Sequence, residues 1–255
     1  MPSKRVPIFY ASRLDEAAKS ATIAGSEARH AVTVLRLRPG SSVRLLWEGA
    51  IWSGEMAAGG ASSVRVALHG QIEAADKARP RVALLVATPK GHSADLIVQK
   101  ATELGVSQVT FFDSKRSVPK IADGKRRLRL ERWDRIARDA CKQCGRAQAP
   151  FVGGPLDSEE ALGLPGQFDL ALLLDTEGKP LKIVLRRRRP KSVVLIVGPE
   201  GGFERREIAE FRRAGALCCS LNEAVLRTET AAISAASIVT HSLWRPGRSS
   251  VDVGK

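Results

Sequence analysis

The run Ser192–Val197 (SVVLIV) constrains the fold more than any other stretch: it is short, rich in β-branched residues, without polar alternation, and stopped abruptly by Gly198-Pro199-Glu200-Gly201-Gly202. Such a run predicts a strand buried on both faces, which requires helices on both sides of its sheet, so the fold class is α/β. Glycine at three of the five turn positions allows positive φ and lets bare backbone N–H and C=O groups approach a ligand. Taken alone, the turn is equally compatible with a plain strand-to-helix connection. The residues after the turn separate the two readings: a helix over Glu204–Ala214 ended by Gly215, a strand over Ala216–Leu221, and a second turn from Asn222 into a helix over Thr230–Leu243. Two loops then lie at the carboxyl ends of strands in one open sheet, where such sheets take small ligands.

Charge narrows the partner. The chain carries a net charge of +14, and between Lys115 and Arg146 there are twelve Lys or Arg against four Asp or Glu, a local +8. That segment reads as a phosphate-binding surface, with a solvated helix face as the alternative. Aromatic residues make up only 5% of the chain, which argues against a stacking platform for single strands and leaves phosphate contacts to carry the affinity for a polyanionic partner. No apolar run approaches the ~20 residues of a membrane span, and Met1-Pro2-Ser3-Lys4-Arg5 lacks the apolar core of a signal peptide. A cytoplasmic protein without membrane attachment is expected. Cys141 and Cys144 have zinc-like spacing, but they continue the apolar series Trp133, Ile136, Ala137, Ala140 of one helix face. Cys218 and Cys219 are neighbours on a strand and point to opposite faces, so no metal site is expected.

Residues 1–78 predict a small β-rich domain, with strands over Ser42–Trp47, Ile51–Ala57 and Val64–His69 and a short helix favoured over a strand for Ala31–Leu37. Gln71–Arg79 predicts a linker. The larger domain, 79–245, opens with a buried strand at Val82–Ala87 and a helix capped by Ser93 and closed by Gly105, then a strand over Val106–Phe112. Pro150–Gln167 predicts a loop-rich connection, Asp169–Leu174 a buried strand ending at Asp175–Gly178, Arg186–Arg189 a surface turn, and 246–255 a flexible tail. A dinucleotide-binding oxidoreductase fits poorly: the turn lacks the G-x-G-x-x-G order, and Asn222 rather than an acid follows the next strand.

The turn Gly198–Phe203, followed by Leu221 and by Leu226-Arg227-Thr228-Glu229-Thr230-Ala231, resembles the bacterial 16S ribosomal RNA uridine-N3 methyltransferases, the RsmE family of the SPOUT superfamily. Gln99–Val106, Ser114–Ser117, Cys141–Arg146 and the His30…Val34-Leu35-Arg36 element share the likeness, so it covers nearly the whole chain. Asn222 and Ala224 depart from it, standing where the family usually has glycine and a basic residue. The resemblance implies a trefoil-knotted methyltransferase domain behind a PUA-like β-barrel, a homodimer, and S-adenosylmethionine held bent by backbone groups of the loops. Carried onto this sequence, the cofactor set is Leu174, Asp175, Gly198, Pro199, Glu200, Gly201, Gly202, Leu221, Asn222, Val225, Leu226 and Thr228. The RNA set is Arg29, His30, Arg36, Lys90, Lys100, Lys115, Arg116 and Arg146. The implied substrate is a uridine in the decoding region of 16S ribosomal RNA on the small subunit; the alternatives are a non-catalytic RNA-binding ribosome assembly factor or a methyltransferase of a different RNA. Uracil N3 must lose a proton before it is nucleophilic. Arg227 is the candidate for holding the developing anion, and Glu200 and Glu229 for taking the proton, although Thr228 and Glu229 also suit the first turn of a helix.

Overall fold

The computed structural model describes residues 6–74, 80–117, 123–186 and 188–244. The chain packs as two units, Met1–Lys77 with Arg138–Ala149, and Ala78–Ala137 with Pro150–Lys255.

The first unit is a six-stranded sheet of β1 (Ile8–Tyr10), β2 (Arg13–Asp15), β3 (Ser20–Ala24), β4 (Ser42–Trp47), β5 (Ala50–Gly59) and β6 (Ser63–Ala74), ordered β1-β4-β5-β6-β3-β2. Among these described strands only the β1–β4 pair is parallel. Alternating burial along β3 and β4 puts Ala21, Ile23, Val43 and Leu45 into a core with Phe9, Trp52 and Val66, while Leu46 and Ile51 belong to a second, smaller apolar cluster. The predicted linker is overtaken by β6, whose last residues pair with β5 through Ala50↔Ala74 after a bulge; residues 75–79 lie outside the described set. The predicted Ala31–Leu37 helix begins earlier and stops sooner, as α1 (Ser26–Arg29) running into a π-helical turn at His30–Val34. Its carbonyls are met by Leu35 N on His30 O and Leu37 N on Ala31 O, and Arg36 takes φ 52°.

Arg138–Ala149, the end of the long helix α3 (Asp123–Cys144) and the turn after it, completes this unit. Cys141 packs with Leu46 and Ile51, Arg138 lies 4.2 Å over the Tyr10 ring, and Lys142 Nζ bonds Glu27 (2.7 Å) and Asp139 (2.9 Å). Burial works against the charged Lys142, yet its two carboxylate partners outweigh it and raise the pKa.

The second unit is a wholly parallel sheet ordered β12-β10-β11-β7-β8-β9: β7 (Arg81–Ala87), β8 (Gln108–Phe112), β9 (Phe151–Leu156), β10 (Leu170–Pro180), β11 (Ser192–Val197) and β12 (Leu217–Ser220). The unbroken apolar runs of β7 and β11 are buried on both faces, as expected of central parallel strands. On one face α6 (Arg205–Arg213) brings Phe211 into a cluster with Phe112 and Phe203. On the other, α7 (Thr228–Leu243) packs on β7, β11 and α2 (Ser93–Glu103) through its buried Ala232, Ala235, Ala236 and Val239. The cap of α2 is His92 without a side-chain bond; Ser93 is already its first helical residue.

Two segments depart from their predicted boundaries. Pro150–Gln167 contains the edge strand β9, the short helix α4 (Ser158–Leu162) with an Asp157–Glu160 capping box, and a 3-10 turn. Gly153, Gly154 and Pro155 hid the strand by breaking its apolar pattern. β10 does not end at Asp175. Leu174 and Lys179 both register with Cys219, so Asp175–Gly178 loops out and the strand resumes through Pro180 into α5 (Leu181–Leu185). The Gly178 backbone then lies against β12, where an added Cβ would stand 2.5 Å from Cys219 N. The predicted turn at Arg186–Arg189 falls where Arg188 N bonds Leu185 O, residue 187 lying outside the described set, and the predicted tail, 246–255, also lies outside it.

Candidate functional site

The strand order β12-β10-β11 sets three carboxyl ends side by side, and a cavity of about 310 Å³ opens between them. Leu174, Asp175 and Thr176 reach it from the looped segment of β10, Val197 and Gly198–Phe203 from β11, and Ser220–Asn222 with Ala224–Leu226 from β12. Thr228 and Ala231 close it from the first turn of α7. All twelve residues of the cofactor set thus share one cavity.

The Gly198–Phe203 turn is held from several sides. Thr228, buried at the start of α7, donates from Oγ1 to Gly198 O (3.0 Å) instead of capping its own helix, whose N-cap is Arg227. Gly202 N closes onto Pro199 O (2.8 Å), and Arg116 Nη1 donates to Gly201 O (2.9 Å). Of the three glycines expected at positive φ only Gly202 takes it (φ 67°). Gly198 is required for a different reason, because a Cβ there would press to 3.1 Å on the Phe203 ring. After the turn, Glu204 and Glu207 form a capping box that starts α6.

The lining is acidic. Among the described residues it carries two carboxylates, Asp175 and Glu200, and no Lys or Arg, in a chain of net charge +14. The three candidate catalytic groups separate. Glu200 is in the cavity wall, whereas Arg227 is exposed at the N-cap of α7 between two lining residues, and Glu229 lies in that helix's first turn outside the lining.

The sequence profile of an RNA methyltransferase domain matches residues 76–240, and that of an RNA methyltransferase PUA domain matches residues 23–68. The chain belongs to the ribosomal RNA small subunit methyltransferase E family. Its relatives of that name include one from Mycobacterium bovis, 31% identical over 91% of this chain and 90% of its own length. Another is from Bacillus subtilis, 28% identical over 89% and 91%. A solved methyltransferase E from Neisseria gonorrhoeae bound to S-adenosyl methionine superposes with a TM-score of 0.81 at 25% identity, covering 94% of this chain and 98% of that one. A chain from Legionella pneumophila, described as a methyltransferase in complex with the cofactor SAM, gives 0.84 at 28%, with 94% and 98% covered.

For a methyltransferase E fold, the residues missed in sequence are instructive. Thr176, Ser220 and Ala231 also line the cavity, and only the looped register of β10 and the α7 start bring them there. Of the RNA set, Arg29, His30 and Arg36 are exposed around the π-helical turn of the first unit, and Arg146 lies in that unit's last segment. In the second unit Lys90 and Lys115 are exposed, Lys100 pairs with Glu103 (2.9 Å), and Arg116 is engaged with Gly201. Burial pushes the Cys141 thiol up to about 11 and the Cys219 thiol to about 12, and raises Cys218 as well. No group of three or more His, Cys, Asp or Glu suited to a metal ion occurs among the described residues.

Proposed function

We propose that this chain methylates N3 of a uridine in the decoding region of 16S ribosomal RNA on the small ribosomal subunit, using S-adenosylmethionine held in the β12-β10-β11 cavity. The observation that carries the reading is the acidic lining, which complements a ligand bearing sulfonium and ammonium charges; a volume of about 310 Å³ lies within the range of small-ligand sites. Backbone groups of Gly198–Gly202 and the apolar Leu174, Val197, Leu221 and Leu226 supply the remaining walls. Family membership and the SAM-bound neighbours support the same assignment.

When bound, the cofactor supplies an electrophilic methyl group on sulfur. The protein's own task is alignment and charge. Glu200, in the wall, takes the N3 proton, and Arg227, at the rim, opposes the negative charge that spreads to the uracil oxygens. RNA is gripped through phosphates by the exposed Arg29, His30 and Arg36 on the PUA unit and by Lys90 and Lys115 on the catalytic unit. The chain works in the cytoplasm as a homodimer, a reading supported by apolar side chains left exposed on α2 and α7, Leu96 and Ile238. A trefoil knot is supported by the path of the last elements: β12 lies at the sheet edge, yet α7 returns to pack on the central β7 and β11.

Transfer of labelled methyl from S-adenosylmethionine to small subunits, with the product located by nucleotide mapping, tests this. Label in a single N3-methyluridine near the 3′ end of 16S RNA is the expected outcome; label elsewhere, or none from a chain that binds the cofactor, overturns it. Sedimentation at micromolar concentration is expected to show twice the 27.5 kDa chain mass.

A further inference from the structure

Among the described residues Glu207 is the only charged side chain that is buried, at 6% exposure, and it lies outside the cavity lining. Burying a carboxylate costs several kcal/mol unless its lone pairs are met. Here they are met by three donors: Ser114 Oγ (2.9 Å) and Lys115 N (3.0 Å) onto Oε1, and Glu204 N (2.9 Å) onto Oε2. A capping box needs only the last of these. The other two reach the turn after β8, which is two strands away from β11 in the sheet.

That turn carries Arg116. Ser114 N bonds Ser117 Oγ (3.1 Å), the turn is closed by Ser117 N on Ser114 O (3.0 Å), and from it Arg116 donates Nη1 to Gly201 O (2.9 Å) while Nε lies 3.9 Å from Glu204. One face of the clamp therefore ends on a carbonyl in the cavity wall. The whole chain of contacts lies within the second unit.

We propose that Glu207 is a positioning residue, which locks the Ser114–Ser117 turn to the start of α6 so that Arg116 holds the Gly201 carbonyl and presets the cofactor wall before the ligand arrives. Preorganising a wall in this way lowers the ordering cost of binding. The inference rests on the cofactor reading of the cavity and deepens it. It also reassigns Arg116, whose guanidinium serves the loop and not only a phosphate.

The test uses the full chain. In Glu207→Gln one acceptor oxygen remains and an amide NH₂ faces a donor, so one side of the clamp is lost while side-chain shape is kept. Calorimetric affinity for S-adenosylmethionine is expected to fall about tenfold in Glu207→Gln and about fivefold in Arg116→Ala. The double variant is expected to be no weaker than Glu207→Gln alone, because both act through one contact. In Glu207→Gln, which touches neither RNA nor the cavity lining, turnover at saturating cofactor is expected to stay within about twofold, so that the cofactor KM moves and kcat does not. Wild-type affinity in a folded Glu207→Gln, or multiplicative losses in the double variant, would overturn the proposal. Should Glu207→Gln not fold, Ser114→Ala removes one donor alone and is expected to weaken binding about threefold, with no change counting against it. Hydrogen exchange of ligand-free protein separates this inference from the cofactor reading. Faster exchange at the Gly201–Phe203 amides in Glu207→Gln is expected even if the cavity proves to take another ligand, and unchanged exchange there refutes the clamp.

Discussion

The two loops that face each other across the cavity differ in how they are held. The Gly198–Phe203 turn is tied to Thr228, to Arg116 and to itself, whereas Asn222–Val225 is exposed along its length, with Val225 at 81%. A wall fixed beforehand suits a small ligand whose affinity depends on little reordering, and an exposed wall suits a large substrate that arrives from solvent. We propose from this difference that the fixed first loop presets cofactor affinity, while Arg227, just past the exposed second loop, acts in turnover, with Thr228 as the joint between them.

The largest expected effect breaks the second loop's role. Arg227→Ala should lower turnover by roughly a hundredfold and leave cofactor affinity within a few fold, because a charge that opposes a developing anion acts mainly in the transition state. Arg227→Lys should recover little. Steady-state rates beside calorimetry decide this, and lost affinity with normal turnover would reverse the division of labour.

Gly202→Val attacks the first loop. Nothing stands within 4 Å of its added Cβ, so the cost is conformational, from a β-branched residue at φ 67°. Strain of that kind is worth about 1–3 kcal/mol, which should weaken the cofactor by about tenfold or more without touching kcat. Next in size is the joint: Thr228→Val removes the bond to Gly198 O and should reduce affinity about fivefold, read by the same titration. The smallest effect lies beneath the second loop, in β12. Cys219 is raised by burial to about 12, so its folded pKa exceeds the unfolded one near 9. Its contribution to stability is therefore complete below pH 9 and is lost as pH rises toward 12; Cys141, raised to about 11, adds to the same decline in the first unit. Neutral-pH thiol titration should find both unreactive, which would show that the strand under an exposed loop is itself fixed.

The pair of loops was legible because Ser192–Val197 is apolar without interruption and the glycines that follow have few other uses. The β9 strand was illegible because its own glycines and Pro155 mimic a loop, and its core-facing positions are glycine and proline instead of large apolar side chains. The task of Arg116 was hidden for another reason. In sequence it is one cation in a basic segment, and its partner Gly201 is 85 residues away, chosen by a carboxylate at 207 that reads as an ordinary helix-start acid. Local pattern reveals strands and caps; it does not reveal which carbonyl a long side chain will reach across two strands. Asp175 and Leu174 reached the cavity through the order β12-β10-β11, which no periodicity encodes.

The looped segment Asp175–Gly178 has a bearing on mutational drift. Gly178 presses its Cα side on the backbone of Cys218 and Cys219, so every other amino acid would strike main chain that cannot swing aside. Thr176 and Glu177, the two residues before it, are exposed. In a saturation library over these four codons selected for cofactor binding, Glu177, exposed and outside the cavity lining, should admit a wide alphabet while the last returns a single letter, so that the site is anchored by a position where only synonymous change survives.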